Sequence, residues 1–129
     1  MIAVDANIII RFLTHDDDFQ YKKAFSVFNK NEVFIPDTVI LETEWVLRYA
    51  YKFSTEEIAI AMINLFGLKN VHLSAPVYIE QAIKWYKQGV DFSDAMHLSQ
   101  CQKCEKLYTF DKAFISKANN LTSCLVELP

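Results

Sequence analysis

Short apolar runs alternate along the chain with longer stretches of helical periodicity, and this alternation narrows the available folds more than any other feature. IAVD (2–5), VFIP (33–36), VHLS (71–74), LYTF (107–110) and CLVEL (124–128) have the length of strands. The first is nearly all apolar, as in a parallel sheet covered on both faces. Helical patterns fall between them, at about 7–13, at 18–30, from 37 or 38 onward, from 54 to 66, from 76 to 88, from 91 or 93 to 103, and at 112–118. Local signals set their ends. Asp16, Asp17 and Asp18 open the second helix with negative charge that suits the helix dipole. Asp37 or Thr38 caps the third, and Ser54 with Glu57 spells a capping box. Pro76 suits a first turn, and Gly89 a stop. Strands alternating with helices predict the α/β class, as a three-layer α/β/α sandwich around a central parallel sheet. The 129 residues hold two glycines and three prolines, with no repeat, so one domain over 1–129 is expected.

Composition removes several classes of function. With 52% hydrophobic and 22% charged residues the chain is ordinary globular material, neither disordered nor membranous. The segment MIAVDANIII has no basic stretch before its apolar run, and Asp5 interrupts that run, so neither a signal peptide nor a membrane span is expected. The expectation is a cytoplasmic protein without a membrane partner. A net charge of −3 argues against a module that holds nucleic acid by charge alone. It does not argue against a nuclease, because carboxylates loaded with divalent cations attract phosphate. Cys101, Cys104 and Cys124 make an odd count, unlike a disulfide scaffold. Cys101 and Cys104 form a CxxC, but no second Cys or His pair stands at ligand spacing, so they read as two thiols on a helix. His72 and His97 have no obvious Ser or Cys nucleophile beside them, which argues against a triad; His15 and His72 read as structural or surface residues, and His97, three residues after Asp94, as structural with the edge of the acidic set as its alternative.

The acids carry the chemistry. Asp5 ends the first expected strand and Asp111 directly follows the fourth, where open α/β sheets bind ligands. Asp94 falls in the first turn of one helix, and Glu42 about one turn into another. Taken singly, each has a structural alternative as a helix cap or dipole partner. As a cluster they would need cations or raised pKa values, because two negative charges 4 Å apart repel by roughly 4 kcal/mol at an effective dielectric of 20. Oxygen donors of this kind suit Mg²⁺ or Mn²⁺, and such ions suit phosphodiester hydrolysis. Glu44 lies two positions from Glu42 and is expected on a different, solvated face, although a shifted register would exchange the two. Arg11 and Arg48, the two arginines, either contact phosphate or pair with acids. Most aromatics recur at helical spacing as core or interface.

Taken together, MIAVDANIIIRFLTHDD, VILETEWVLR, DFSDAMHLSQC and LYTFDKAF resemble, in order and spacing, the PIN-domain family and its VapC-type toxins over essentially the whole chain. The resemblance implies a metal-dependent endoribonuclease, the toxin of a VapBC-type toxin–antitoxin pair. It implies that Asp5, Glu42, Asp94 and Asp111 are catalytic, with Asp5, Asp94 and Asp111 holding Mg²⁺ or Mn²⁺. Asn7 would order water near the metal, Thr109 would hold the first carboxylate, and Asp91 matches an acid that many members carry. Its structural alternative is a helix N-cap. The implied partners are an RNA substrate, a VapB-type antitoxin and a second copy of the chain. Ala6 departs from the threonine that many relatives have, at a position facing away from the metals. The alternative is a catalytically inactive PIN-fold protein that binds RNA or acts as a scaffold, although all four principal acids are present.

Overall fold

The computed structural model describes residues 1–129, which form two compact units, Met1–Ser74 and Ala75–Pro129. In the first unit the order is β1 (Ile2–Ala3), α1 (Ala6–Thr14), α2 (Asp18–Lys30), β2 (Val33–Phe34), α3 (Asp37–Tyr49), α4 (Thr55–Phe66) and β3 (Val71–His72). The strands pair in parallel in the order β1-β2-β3, with Ile2 opposite Val33 and Val33 opposite Val71. Each parallel neighbour is reached through a pair of helices, as a parallel ladder requires. Val33, Ile35, Ile40, Leu47, Ile58 and Met62 are among its fully buried side chains.

The second unit runs α5 (Pro76–Lys87), α6 (Phe92–Gln100), β4 (Lys106–Tyr108), α7 (Lys112–Ala118) and β5 (Leu125–Glu127). Here β4 and β5 pair in parallel, with Leu107 opposite Val126 and α7 as the crossover. Gly89, at φ +105°, makes the turn between α5 and α6, a conformation that side chains other than glycine's rarely adopt. Phe92 then packs edge-on against Tyr86, with ring centroids 5.1 Å apart.

The α/β class and the parallel pairing are as expected, and the strands divide into a three-stranded and a two-stranded sheet. Every strand is shorter than its apolar run. Pro36 stands directly before α3, which opens without a side-chain cap, so neither Asp37 nor Thr38 caps it. The Ser54–Glu57 capping box is present in full, with Glu57 N–H to Ser54 Oγ at 3.1 Å and Ser54 N–H to Glu57 Oε1 at 2.9 Å. The α6 helix stops at Gln100 rather than Lys103, where the chain turns through Cys101.

In the first unit, Arg11, Asp16 and Tyr51 form a network that no local pattern announces. Arg11 Nη1 lies 3.0 Å from both carboxylate oxygens of Asp16 and donates to the Tyr51 hydroxyl at 2.9 Å. That hydroxyl in turn donates to Asp16 Oδ2 at 2.7 Å, and Thr14 Oγ1 donates to Asp16 Oδ1 at 3.0 Å. The Tyr51 hydroxyl, followed by Thr14 and Arg11, holds the Asp16 carboxyl below its ordinary range. A lowered folded-state pKa means that the ionised form favours folding. The contribution is present above the ordinary carboxylate range and is lost as pH falls through the lowered value. Tyr51→Phe should therefore move the Asp16 pKa upward, read by carbon-detected NMR titration of its carboxyl. An unchanged value would assign the effect to Thr14 and Arg11 alone.

Candidate functional site

In the first unit Asp5 sits just past β1, not at the end of a longer strand. It is the N-cap of α1, and its Oδ1 accepts the Ile8 N–H at 3.1 Å. An Asp in this place satisfies one of the helix's free amides and puts a negative charge at the positive end of the dipole. Asp5 and Asn7, both exposed, line a cavity of about 590 Å³ together with Arg11, Gln20 and Lys23. Arg11 is committed to Asp16 and Tyr51, which resolves its two readings toward pairing with an acid.

Glu42 is exposed on α3 and does not line that cavity. Glu44 corrects the expectation of a solvated side chain, because it is only 3% exposed. Its Oε2 lies 2.8 Å from Arg48 Nε, and its Oε1 accepts from Nη2 at 3.2 Å. The signal was present in the spacing: Ile40, Thr43, Glu44 and Leu47 make one buried stripe at helical period, and Glu44 lies one turn after Ile40. A buried carboxylate is tolerated there because the guanidinium one turn on supplies both charge and donors. Arg48 also lies over the Tyr49 ring, 4.7 Å from its centroid.

In the second unit three acids form an electrostatically linked group. Asp91 is the N-cap of α6; its Oδ2 accepts the Asp94 N–H at 3.3 Å and the Ser93 hydroxyl at 2.7 Å. This is the capping role open to it on sequence alone. Asp94, in the first turn, is half-buried, and its carboxyl is pushed above the ordinary range. Burial is the largest cause, followed by the negative charges of Asp91 and Asp111, while His97 one turn on pulls the other way. Asp111 is the N-cap of α7, with Oδ1 accepting the Phe114 N–H at 3.1 Å. Thr109 Oγ1 accepts the N–H of Asp111 itself at 3.0 Å, so this hydroxyl orients the last acid of the set.

Asp91 and Asp111 therefore both come within electrostatic range of Asp94, and Asp5 and Asn7 share a cavity. Within neither unit do three or more His, Cys, Asp or Glu side chains close on a common point as metal ligands do. The features missed in the sequence are the Arg11–Asp16–Tyr51 network and the buried Glu44–Arg48 pair. Only the pair had a readable signal.

No curated protein sequence matches the chain. Among solved structures the chain is similar to VapC20 of Mycobacterium tuberculosis, described as a sarcin-ricin loop cleaving toxin. The identity is 21%, the TM-score is 0.46, and the match covers 92% of this chain and 95% of that one. Residues 2–120, which include every acid of the candidate set, match the PIN domain, and the chain belongs to the PIN-domain family.

Proposed function

We propose that this protein is a divalent-metal-dependent endoribonuclease, the toxin of a VapBC-type toxin–antitoxin pair, whose catalytic carboxylates are Asp5, Glu42, Asp94 and Asp111. The observation that carries the reading is the charge state around Asp94. Its ionised form is disfavoured by burial and by two further carboxylates, and no lysine or arginine is among the groups that offset them. Hard oxygen donors with excess negative charge fit Mg²⁺ or Mn²⁺ and not a soft metal, which would call for thiolate. Asp94 and Asp111, with Asp5, are the residues assigned to hold the ion, and Glu42 completes the set. A bound divalent ion supplies Lewis-acid stabilisation of charge on the phosphodiester and a more acidic attacking water.

The chain's own groups prepare this arrangement. Asp91 fixes the first turn of α6 and so sets where Asp94 stands. Thr109 does the same for the backbone of Asp111. Asn7 lies beside Asp5 in the cavity and offers an amide to water or to a phosphate oxygen. In the reaction, water adds to phosphorus and the bond to the 3′ oxygen breaks, leaving 5′-phosphate and 3′-hydroxyl ends. Water, not a 2′-hydroxyl, is the nucleophile in this reading, because a water made more acidic by the ion needs no general-base histidine. Unpaired RNA fits best, because its splayed backbone reaches an acidic recess more readily than a duplex does. A VapB-type antitoxin and a homodimer follow from the family resemblance. The exposed Trp45–Tyr49 pair on α3, with ring centroids 5.1 Å apart, offers aromatic surface of the sort such partners cover. No helix is long and apolar enough to cross a membrane, and a cytoplasmic setting agrees with the reading.

The test is cleavage of a structured RNA with Mg²⁺ or Mn²⁺ by wild type, Asp5→Asn and Asp94→Asn. Cleavage should require the metal and drop sharply in both variants. Equal cleavage by all three proteins, or cleavage undiminished by EDTA, would overturn the metal mechanism. RNA binding without metal and without turnover would favour the inactive RNA-binding or scaffold alternative.

A further inference from the structure

The CxxC of Cys101 and Cys104 plays no part in the proposed reaction, yet the fold brings its thiols together. Cys101 is the C-cap of α6, its N–H donating to the Leu98 carbonyl. The chain then reverses in a turn closed by a 2.9 Å hydrogen bond from the Cys104 N–H to the Cys101 carbonyl. Such a turn holds its first and fourth Cα atoms within about 7 Å, and disulfides span Cα separations of about 4.4–6.8 Å. Cys104 is among the groups that act on the Cys101 thiol, and both thiols are free. Cys104 is exposed and Cys101 half-buried, so Cys104 is the thiol more open to a solution reagent. Cys124, the third thiol, is in electrostatic range of both, but it is 2% exposed just before β5 and lines a cavity of about 300 Å³ that neither of them lines.

We propose that Cys101 and Cys104 are a reversible disulfide site, oxidised by a hydroperoxide, in the turn that closes α6. The thiolate of Cys104 attacks the peroxide oxygen, the O–O bond breaks, and a sulfenic acid forms at Cys104 with release of water or an alcohol. The thiol of Cys101 then attacks the Cys104 sulfur, its proton leaves with the hydroxyl as water, and the S–S bond closes. Two thiols are oxidised by two electrons and one peroxide is reduced. A dithiol reverses the change by exchange.

The position of the motif decides which kind of redox site this is. Disulfide oxidoreductases place their reactive cysteine at a helix N-terminus, where the dipole stabilises the thiolate and makes the disulfide a strong oxidant. Here the motif is at a C-terminus, the negative end of the dipole, and burial pushes the Cys101 and Cys124 thiols upward. The reduced form gains no thiolate stabilisation, so the bridge is kept once made and not passed on to another protein.

The experiment treats the full-length reduced protein with hydrogen peroxide or a tert-butyl hydroperoxide and reads intact mass and peptide maps under non-reducing conditions. Wild type and Cys124→Ser should each lose two hydrogens, carry a Cys101–Cys104 link, and recover the original mass with dithiothreitol. Cys101→Ser should instead accumulate a sulfenic acid at Cys104 that dimedone traps. Cys104→Ser should show neither product. The proposal is overturned if wild type gains oxygen without losing hydrogens, if the link maps to Cys124, or if it joins two chains. It is equally overturned if Cys101→Ser traps no dimedone at Cys104.

Discussion

Asp94→Asn should lower metal-dependent RNA cleavage by at least about 100-fold, the upper end of the cost of losing a group that only supports a metal ligand, while leaving the protein as stable as wild type or slightly more so. The two effects have one cause. Asp94 is half-buried beside Asp91 and Asp111, and its ionised form is disfavoured by burial and by both neighbours. In the metal-free protein that negative charge is a burden on folding, and an amide of the same shape removes it. With metal present the same charge becomes the binding group, and the amide cannot replace it. Asp91→Asn provides the contrast. Asn caps a helix about as well as Asp, so the bonds to the Asp94 N–H and the Ser93 hydroxyl persist in kind. Activity should fall less than in Asp94→Asn. Initial cleavage rates at saturating Mn²⁺, set beside thermal melts of the metal-free proteins, check both statements. Near-wild-type activity in Asp94→Asn, or activity lost in step with stability, would count against the assignment.

Phe92→Ala should destabilise the protein by about 3–5 kcal/mol, the range for truncating a buried phenylalanine. Total stabilities of small domains run to about 5–15 kcal/mol, so a large share of the whole is at stake. Phe92 is fully buried, opens α6 and meets Tyr86 of α5 edge-on at 5.1 Å. Removing the ring deletes both the apolar contact and the aromatic pairing that hold the two helices together. Phe92→Leu keeps most of the volume and should cost less than about 1.5 kcal/mol. Urea titration of the two variants measures the difference, and amide exchange in α5 and α6 locates it. A cost for Phe92→Ala no larger than that for Phe92→Leu would show that the two helices close up around the gap.

Much of the architecture was legible because its signals act within one helical turn. Ser54 and Glu57 cap α4, Pro76 opens α5, and Gly89 follows α5 with the positive φ that a helix exit needs. Strand lengths were misread at Asp5 and Asp111 for a local reason too. Their carboxylates accept the Ile8 and Phe114 amides and start helices at once, so β1 and β4 stop short of them. Asp side chains favour such caps because they compete with the backbone for its own donors. The spacing from Glu42 puts Glu44 on a different face of α3, as found, but that face is the buried one that the period of Ile40 and Leu47 marks. Charge is a sound guide to exposure only where no partner stands one turn away, and Arg48 does.

By itself the sequence determined the alternation of strands and helices, most helix ends, and the positions of the four acids in a PIN-domain pattern. These depend on neighbours along the chain and on a spacing that the family shares. Tertiary structure alone decided which strands pair and in what register, and that Arg11 meets a tyrosine 40 residues away. It alone decided that Asp111, on a different element, raises the cost of charging Asp94. Burial and Coulomb energy depend on distance through space, and no periodicity along the chain encodes that distance.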